Sequence, residues 1–259
     1  MDARRPEHEE HPLNAEPSAQ LTLLDLQAHD SALAQLSHRR ASLPEHARIA
    51  ELQARVDELD GQRIEADTEV SDLTRAQSKA DAEVEHVKDR RVRDEERLSS
   101  GAITNPKDLE SLQHELGALE RRISTLEDEE LEVMERLEDA QKRLSAVTAD
   151  LEAIKGELEQ VTTARDAAIE VIDTEAGTIT AEREQIVTQV PDDLLALYGK
   201  VRDQYGGLAA GALRARRCEA CRLEINGADL REIATKPDDE VLRCPECSRI
   251  LVRTPESGL

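Results

Sequence analysis

The chain has 259 residues, of which 38% are hydrophobic and 35% charged, and carries a net charge of −23 with no Trp, no Phe and two tyrosines, Tyr198 and Tyr205. A globule of this length buries several large rings, so a single thick aromatic core is excluded. The acidic balance also excludes general adhesion to nucleic acid, because phosphate binding needs a cationic surface. Ala, Leu, Glu, Lys and Arg supply roughly half the residues, which marks long helices when periodicity agrees and disorder when it does not.

In chain order, residues 1–18 are polar and interrupted by prolines, and predict a flexible tail. The start of the chain has no apolar segment of the kind a signal peptide needs, and no stretch approaches the roughly 18 apolar residues of a membrane span. The expectation is a cytoplasmic protein with no membrane contact. From Leu21 to Leu43, apolar residues recur at helical spacing, among them Leu26, Leu33, Leu36 and Leu43, until Pro44 disfavours helix at its predecessor and opens the next helix at its first position.

A 3-4 alternation follows through Ile49, Leu52, Val56, Leu59, Arg63, Ala66, Val70, Leu73, Gln77, Ala80, Val84 and Val87. Ser99-Ser100-Gly101 stops that helix, and Asn105-Pro106 starts another with a capping residue followed by proline. The second seam runs from Leu109 to Ile179 and is broken in character only by Glu130, Arg165 and Glu175, polar positions of the kind that set register. The domain reading is a coiled-coil hairpin over 19–190 with its tip near 99–106. A reversal near residue 102 places Ile49 opposite about residue 155 and Leu21–Leu43 opposite about 161–183. The arm from Pro44 to the tip would extend roughly 80 Å, and the joint at Pro44 predicts a bend.

Pro191 ends the long helix, so residues 191–210 predict a short helix followed by a hinge at Gly206-Gly207, with Tyr198 and Tyr205 packing at the junction. Residues 211–254 contain Cys218-x2-Cys221 and, 22 residues later, Cys244-x2-Cys247. Two such knuckles let four thiolates converge tetrahedrally on one zinc ion, and a full set of four Cys ligands leaves no open position for a substrate. Strands at 213–217, 240–243 and 248–254 with a helix at 228–234 would build a zinc ribbon, whose small core makes metal binding a large part of its folding energy. Residues 255–259 predict a second tail.

Residues 211–253 hold nine Lys/Arg against eight Asp/Glu, a balance of +1, so the remainder carries −24. Nucleic acid is therefore expected only at the ribbon, through Arg214, Arg216, Arg217, Arg222, Arg243, Arg249 and Arg253, in a phosphate-directed and salt-sensitive manner. A second candidate surface, for a protein partner, is the hairpin tip with Arg90, Arg91, Arg93, Asn105 and Lys107, where Lys88 and Arg97 are interleaved with Asp89, Asp94, Glu95 and Glu96. The seven histidines are scattered, and no Walker loop, dinucleotide fingerprint or nucleophile elbow is present. That pattern predicts no enzyme and no small-molecule substrate.

The combination resembles a bacterial family of coiled-coil hairpin proteins with a C-terminal C4-type zinc ribbon, described as nucleic-acid-binding. The resemblance covers about residues 20–254. It is carried by Cys218-Glu219-Ala220-Cys221, by the stretch from Cys244 to Arg253, and by Asn105-Pro106-Lys107-Asp108-Leu109 followed by Gln113-His114-Glu115. It implies a mainly α fold, a long bent antiparallel coiled-coil hairpin with a small C-terminal C4 zinc ribbon, and zinc-ligand roles for Cys218, Cys221, Cys244 and Cys247. Family members that act as chaperones or adaptors for an alternative sigma factor, flagellar messenger RNA or secretion components imply an adaptor here, and a spacer for protein contacts alone is the contrasting expectation.

Overall fold

The computed structural model describes residues 13–259. These form two compact units: one comprises the chain through Pro44 together with Ala164–Leu259, the other is Glu45–Thr163.

The second unit is an antiparallel helix pair made by α2 (Pro44–Ser99) and the first part of α3 (Pro106–Val187). Pro44 and Pro106 each sit at a first helical position, where a missing N–H costs nothing. The Asn105 side chain accepts a hydrogen bond from the Lys107 amide at 3.1 Å, capping α3. Every seam position predicted in α2 is buried or half-buried, with Leu52, Leu59, Leu73 and Val84 fully so. Leu73 packs with Leu137 and Ala140 across the pair. Arg48 meets Glu157 at 2.6 Å, Glu69 meets Arg143 at 2.9 Å and Lys88 meets Glu127 at 2.9 Å. Exposed pairs of this kind add little energy individually, and they mark the register.

In the other unit, α1 (Pro17–Ala41) lies along the C-terminal part of α3. His29 approaches Glu182 at 3.3 Å and Arg40 approaches Asp173 at 3.4 Å. The equal-rise count placed His29 opposite about residue 175, so α1 pairs roughly a heptad further along α3 than expected. Non-helical residues advance up to about 3.3 Å each against 1.5 Å in a helix, so the 100–105 loop and the Ser42–Leu43 joint displace the count. Glu175 is exposed, and Ala176 takes the inward place assigned to it.

After α4 (Asp192–Gln204) come β1 (Ala210–Arg214), β2 (Arg217–Cys218), α5 (Gly227–Thr235), β3 (Leu242–Arg243) and β4 (Ile250–Arg253). The strand order is β2-β1-β4-β3, with β1 and β4 parallel at the centre and antiparallel neighbours outside. The sheet is buried on both faces. Ile250 and Val252 join Leu23, Leu26, Leu194, Tyr198 and Val201 in one cluster, while Leu251 points the other way to Leu213, Ile225, Leu230 and Ile233. That alternation follows the two-residue period of a strand.

Two expectations are corrected in this unit. Residues 1–12 of the predicted tail lie outside the described residues, but 13–18 are not a tail: Ala15 is buried and its amide donates to Asp239 O at 2.7 Å, while the Val241 amide donates to Leu13 O at 2.9 Å. The 255–259 tail is likewise tied down as far as Ser257, because the Ala215 and Arg216 amides donate to Glu256 O and Ser257 O. Gly206-Gly207 stops α4, with both residues at positive φ and the Gly207 amide bonded back to Arg202 O at 2.8 Å.

Candidate metal centre and its buried support

The two knuckles share one backbone design. The amide of Arg222 donates to Cys218 O at 2.7 Å, and the amide of Ser248 donates to Cys244 O at 2.8 Å. Arg222 and Ser248, each directly after a second cysteine, both adopt positive φ, 62° and 59°. This tight turn brings both thiols of a knuckle to the same side. Gly211 of β1 lets the first knuckle approach, since a Cβ there would lie 2.6 Å from the Ala220 amide nitrogen.

The four sulfurs of Cys218, Cys221, Cys244 and Cys247 lie within 4.8 Å of one another, and Cys221 and Cys244 are 4.0 Å apart. A tetrahedron with Zn–S bonds of about 2.3 Å requires sulfur separations of about 3.8 Å, so the donor set fits one zinc ion. Cys218 and Cys244 are buried and the other two half-buried, and none forms a disulfide. Burial pushes the Cys218 and Cys244 thiols well up. Burial also opposes ionisation of Cys247, but hydrogen bonds from Arg249 and the neighbouring cysteines outweigh it and bring that thiol below its ordinary value. A bound zinc would be structural, with four protein ligands and no vacant position.

Behind the ribbon lies a polar core that the sequence reading did not find. Gln27 of α1 is buried; its Oε1 accepts from the Ala209 amide at 2.6 Å and the Ala210 amide at 3.2 Å, and its Nε2 donates to Gly207 O at 3.0 Å. Asp30, one turn on, is also buried and accepts from Tyr198 Oη at 2.7 Å and Arg183 Nε at 2.6 Å, with Arg202 at 3.4 Å. Gln20 donates to Ala15 O, Asp238 O and Asp239 O. Gln20, Gln27 and Asp30 share the inward stripe of α1 with Leu23 and Leu26, and this stripe holds the entry to β1. The only sequence signal was polar residues at seam spacing.

The arginines divide. Arg253 is mostly buried and donates to Lys236 O at 3.0 Å, Glu240 O at 3.3 Å and Pro237 O, so it braces the loop before β3. Arg249 donates to Leu208 O at 2.8 Å and stacks over Tyr205 at 5.0 Å. Both guanidinium groups are thus engaged within the ribbon, Arg253 through its two terminal nitrogens and Arg249 through Nε. Arg214, Arg216, Arg217, Arg222 and Arg243 are exposed. Arg214 pairs with Glu219 at 3.2 Å and Arg217 with Glu224 at 4.0 Å. At the tip, Arg90 pairs with Glu115 and Asp94, and Arg91 with Glu95. Arg93 and Lys107 are exposed.

An antiparallel helix hairpin followed by a four-cysteine ribbon defines the class, and the comparisons agree. The CT398-like coiled coil hairpin domain matches residues 26–206, and a C4-type zinc ribbon domain matches residues 217–251. The chain belongs to the CT398-like coiled-coil hairpin family, with one structural zinc as its cofactor. It is 36% identical over 241 residues to an uncharacterized protein of Mycobacterium tuberculosis, covering 93% of this chain and 98% of that one. It is 29% identical over 221 residues to one of Mycobacterium leprae, covering 85% and 94%. A solved structure from Mycobacterium smegmatis matches with TM-score 0.81 at 36% identity, covering 93% of this chain and all of that one. CT398 from Chlamydia trachomatis matches with TM-score 0.66 at 17% identity, covering 92% and 98%, a likeness of fold. Among the described residues, no helix is long and apolar enough to cross a membrane.

Proposed function

We propose that the protein is a non-catalytic cytoplasmic adaptor. Its hairpin presents surfaces to protein partners, and its ribbon, folded around zinc held by Cys218, Cys221, Cys244 and Cys247, engages nucleic-acid phosphates. The observation that carries the reading is the set of five exposed arginines on the ribbon, of which Arg216, Arg222 and Arg243 have no carboxylate partner among the described residues. The ion pairs of Arg214 and Arg217 are exposed and weak, so phosphate can replace their carboxylates at small cost. With no ring free for stacking, affinity rests on counterion release. Arg93 and Lys107 at the tip are the cations available to an acidic protein partner.

The test is binding of single-stranded RNA and of duplex DNA at low salt. Replacing Arg214, Arg216 and Arg217 together with alanine should weaken both and flatten the salt dependence, and affinity that survives the triple change sinks the ribbon reading. A spacer that contacts only proteins is the second reading, favoured by the Arg214–Glu219 and Arg217–Glu224 pairs. Partners captured from lysate that persist after nuclease treatment support it, and partners lost support the adaptor.

A further inference from the structure

Leu131 and Met134 of α3 are 57% and 42% exposed, although neither occupies a seam position. They form the apolar wall of a shallow groove of about 460 Å³ in the helix pair, with Gln77 of α2 opposite, buried Leu137 at the floor, and Glu135, Glu138 and Gln141 along the rim. A two-helix pair leaves such a groove along its length, and Leu131 and Met134, three residues apart, point into the same side of it. Methionine supplies an adaptable surface for an apolar partner.

The charge around the groove is one-sided. Residues 127–139 contain eight carboxylates and a single cation, Arg136. Asp128, Glu129, Glu132 and Glu135 are exposed and have no ion-pair partner among the described residues, while Glu138 and Asp139 share Lys142. On helix geometry Asp128, Glu135 and Glu138 fall on the same side as Leu131. A second copy seated here on its own equivalent surface would oppose like charges, at a cost that grows as the groove is desolvated.

We propose that this groove docks a basic amphipathic helix of a partner protein, its apolar stripe on Leu131 and Met134 and its Lys or Arg residues on Asp128, Glu135 and Glu138. The pairing is helix-in-groove recognition, with charge setting orientation and encounter rate. It deepens the adaptor reading by naming the partner chemistry of the hairpin, and rests on that reading for the hairpin being a protein-binding arm.

The probe is a synthetic amphipathic helix of about 18 residues with a leucine face and a lysine face, compared with the same peptide bearing glutamate instead of lysine. The full-length zinc-loaded chain should bind the lysine peptide and not the glutamate one, and L131S together with M134S should weaken binding at least about tenfold. Replacing exposed Val171, which belongs to the other unit and does not line the groove, with Ser should leave binding unchanged. Unchanged circular dichroism and melting confirm that the variants fold. Binding that ignores the double change, or that V171S reduces equally, overturns the proposal. Concentration-dependent dimerisation abolished by L131S and M134S also overturns it, in favour of a second copy. Phosphate binding by the ribbon in the same variant keeps the adaptor's nucleic-acid arm separate, so the two readings fail independently.

Discussion

The phenol of Tyr198 donates to Asp30 Oδ2 at 2.7 Å across 168 residues of sequence. Tyr198 is 1% exposed and the Asp30 side chain likewise, so the bond joins two buried polar groups, with Gln27 Oε1 a second, longer acceptor for the phenol at 3.3 Å. Tyr198→Phe should cost about 1–2 kcal/mol, because Asp30 keeps its two arginines. Asp30→Ala should cost more, about 3 kcal/mol, because it removes the carboxylate that Arg183 and Arg202 share and leaves the phenol only its longer contact with Gln27. Urea unfolding of both variants measures the difference, and equal losses would contradict this division of roles.

Burial first, then the Asp30 hydrogen bond, holds the Tyr198 phenol far above its ordinary value of 10.0. The folded state therefore keeps a proton that the unfolded state releases above about pH 10. Stability from this group is fully present below that pH and declines as pH rises past it. Unfolding measured from pH 8 to 11 should show a steeper alkaline decline for the native sequence than for Tyr198→Phe.

Gly211→Ala should disorder the first knuckle. The added methyl would overlap Ala220 backbone and side chain at 2.6 Å, with no flexible side chain to yield. A loss of about 2 kcal/mol or more is expected, with weakened zinc retention. The same change at Gly199, which meets nothing within 4 Å, is the control and should be neutral or slightly stabilising.

Zinc should be present at one ion per chain, and a chelator should unfold the ribbon while leaving the Glu45–Thr163 unit helical. Ordinary cysteine thiols are protonated at neutral pH and zinc takes them as thiolates, so binding by the four cysteines displaces at least two protons. Apparent affinity should then fall by ~100-fold or more for each unit of acidification, as read by metal competition at several pH values.

The hairpin and the ribbon were legible because their signals are local or periodic. Leu52, Leu59, Leu73 and Val84 recur on one face whatever lies opposite, and the two Cys-x2-Cys pairs carry their geometry in their spacing. What escaped was polar and long-range. Gln20, Gln27 and Asp30 look like ordinary surface residues until Tyr198, Arg183 and the backbone at 207–210 and 238–239 are brought to them. Arg249 and Arg253 read as cations for phosphate because their carbonyl partners lie in loops without a pattern. Leu131 and Met134 fall outside the 3-4 alternation and so carry no seam signal.

Pairing of Leu13 and Ala15 with residues 239–241 has a consequence for the order of biogenesis. The Glu45–Thr163 unit is contiguous and can close while the ribosome is still translating. Helix α1, with Leu23, Leu26, Gln27 and Asp30 facing partners at 183–252, emerges before those partners and must wait until they are translated. During that interval an apolar stripe stands uncovered on the nascent chain. Its carboxamides and its carboxylate keep that stripe wetter than an all-leucine one, which guards the unfinished chain against sticking to its neighbours on the same polysome.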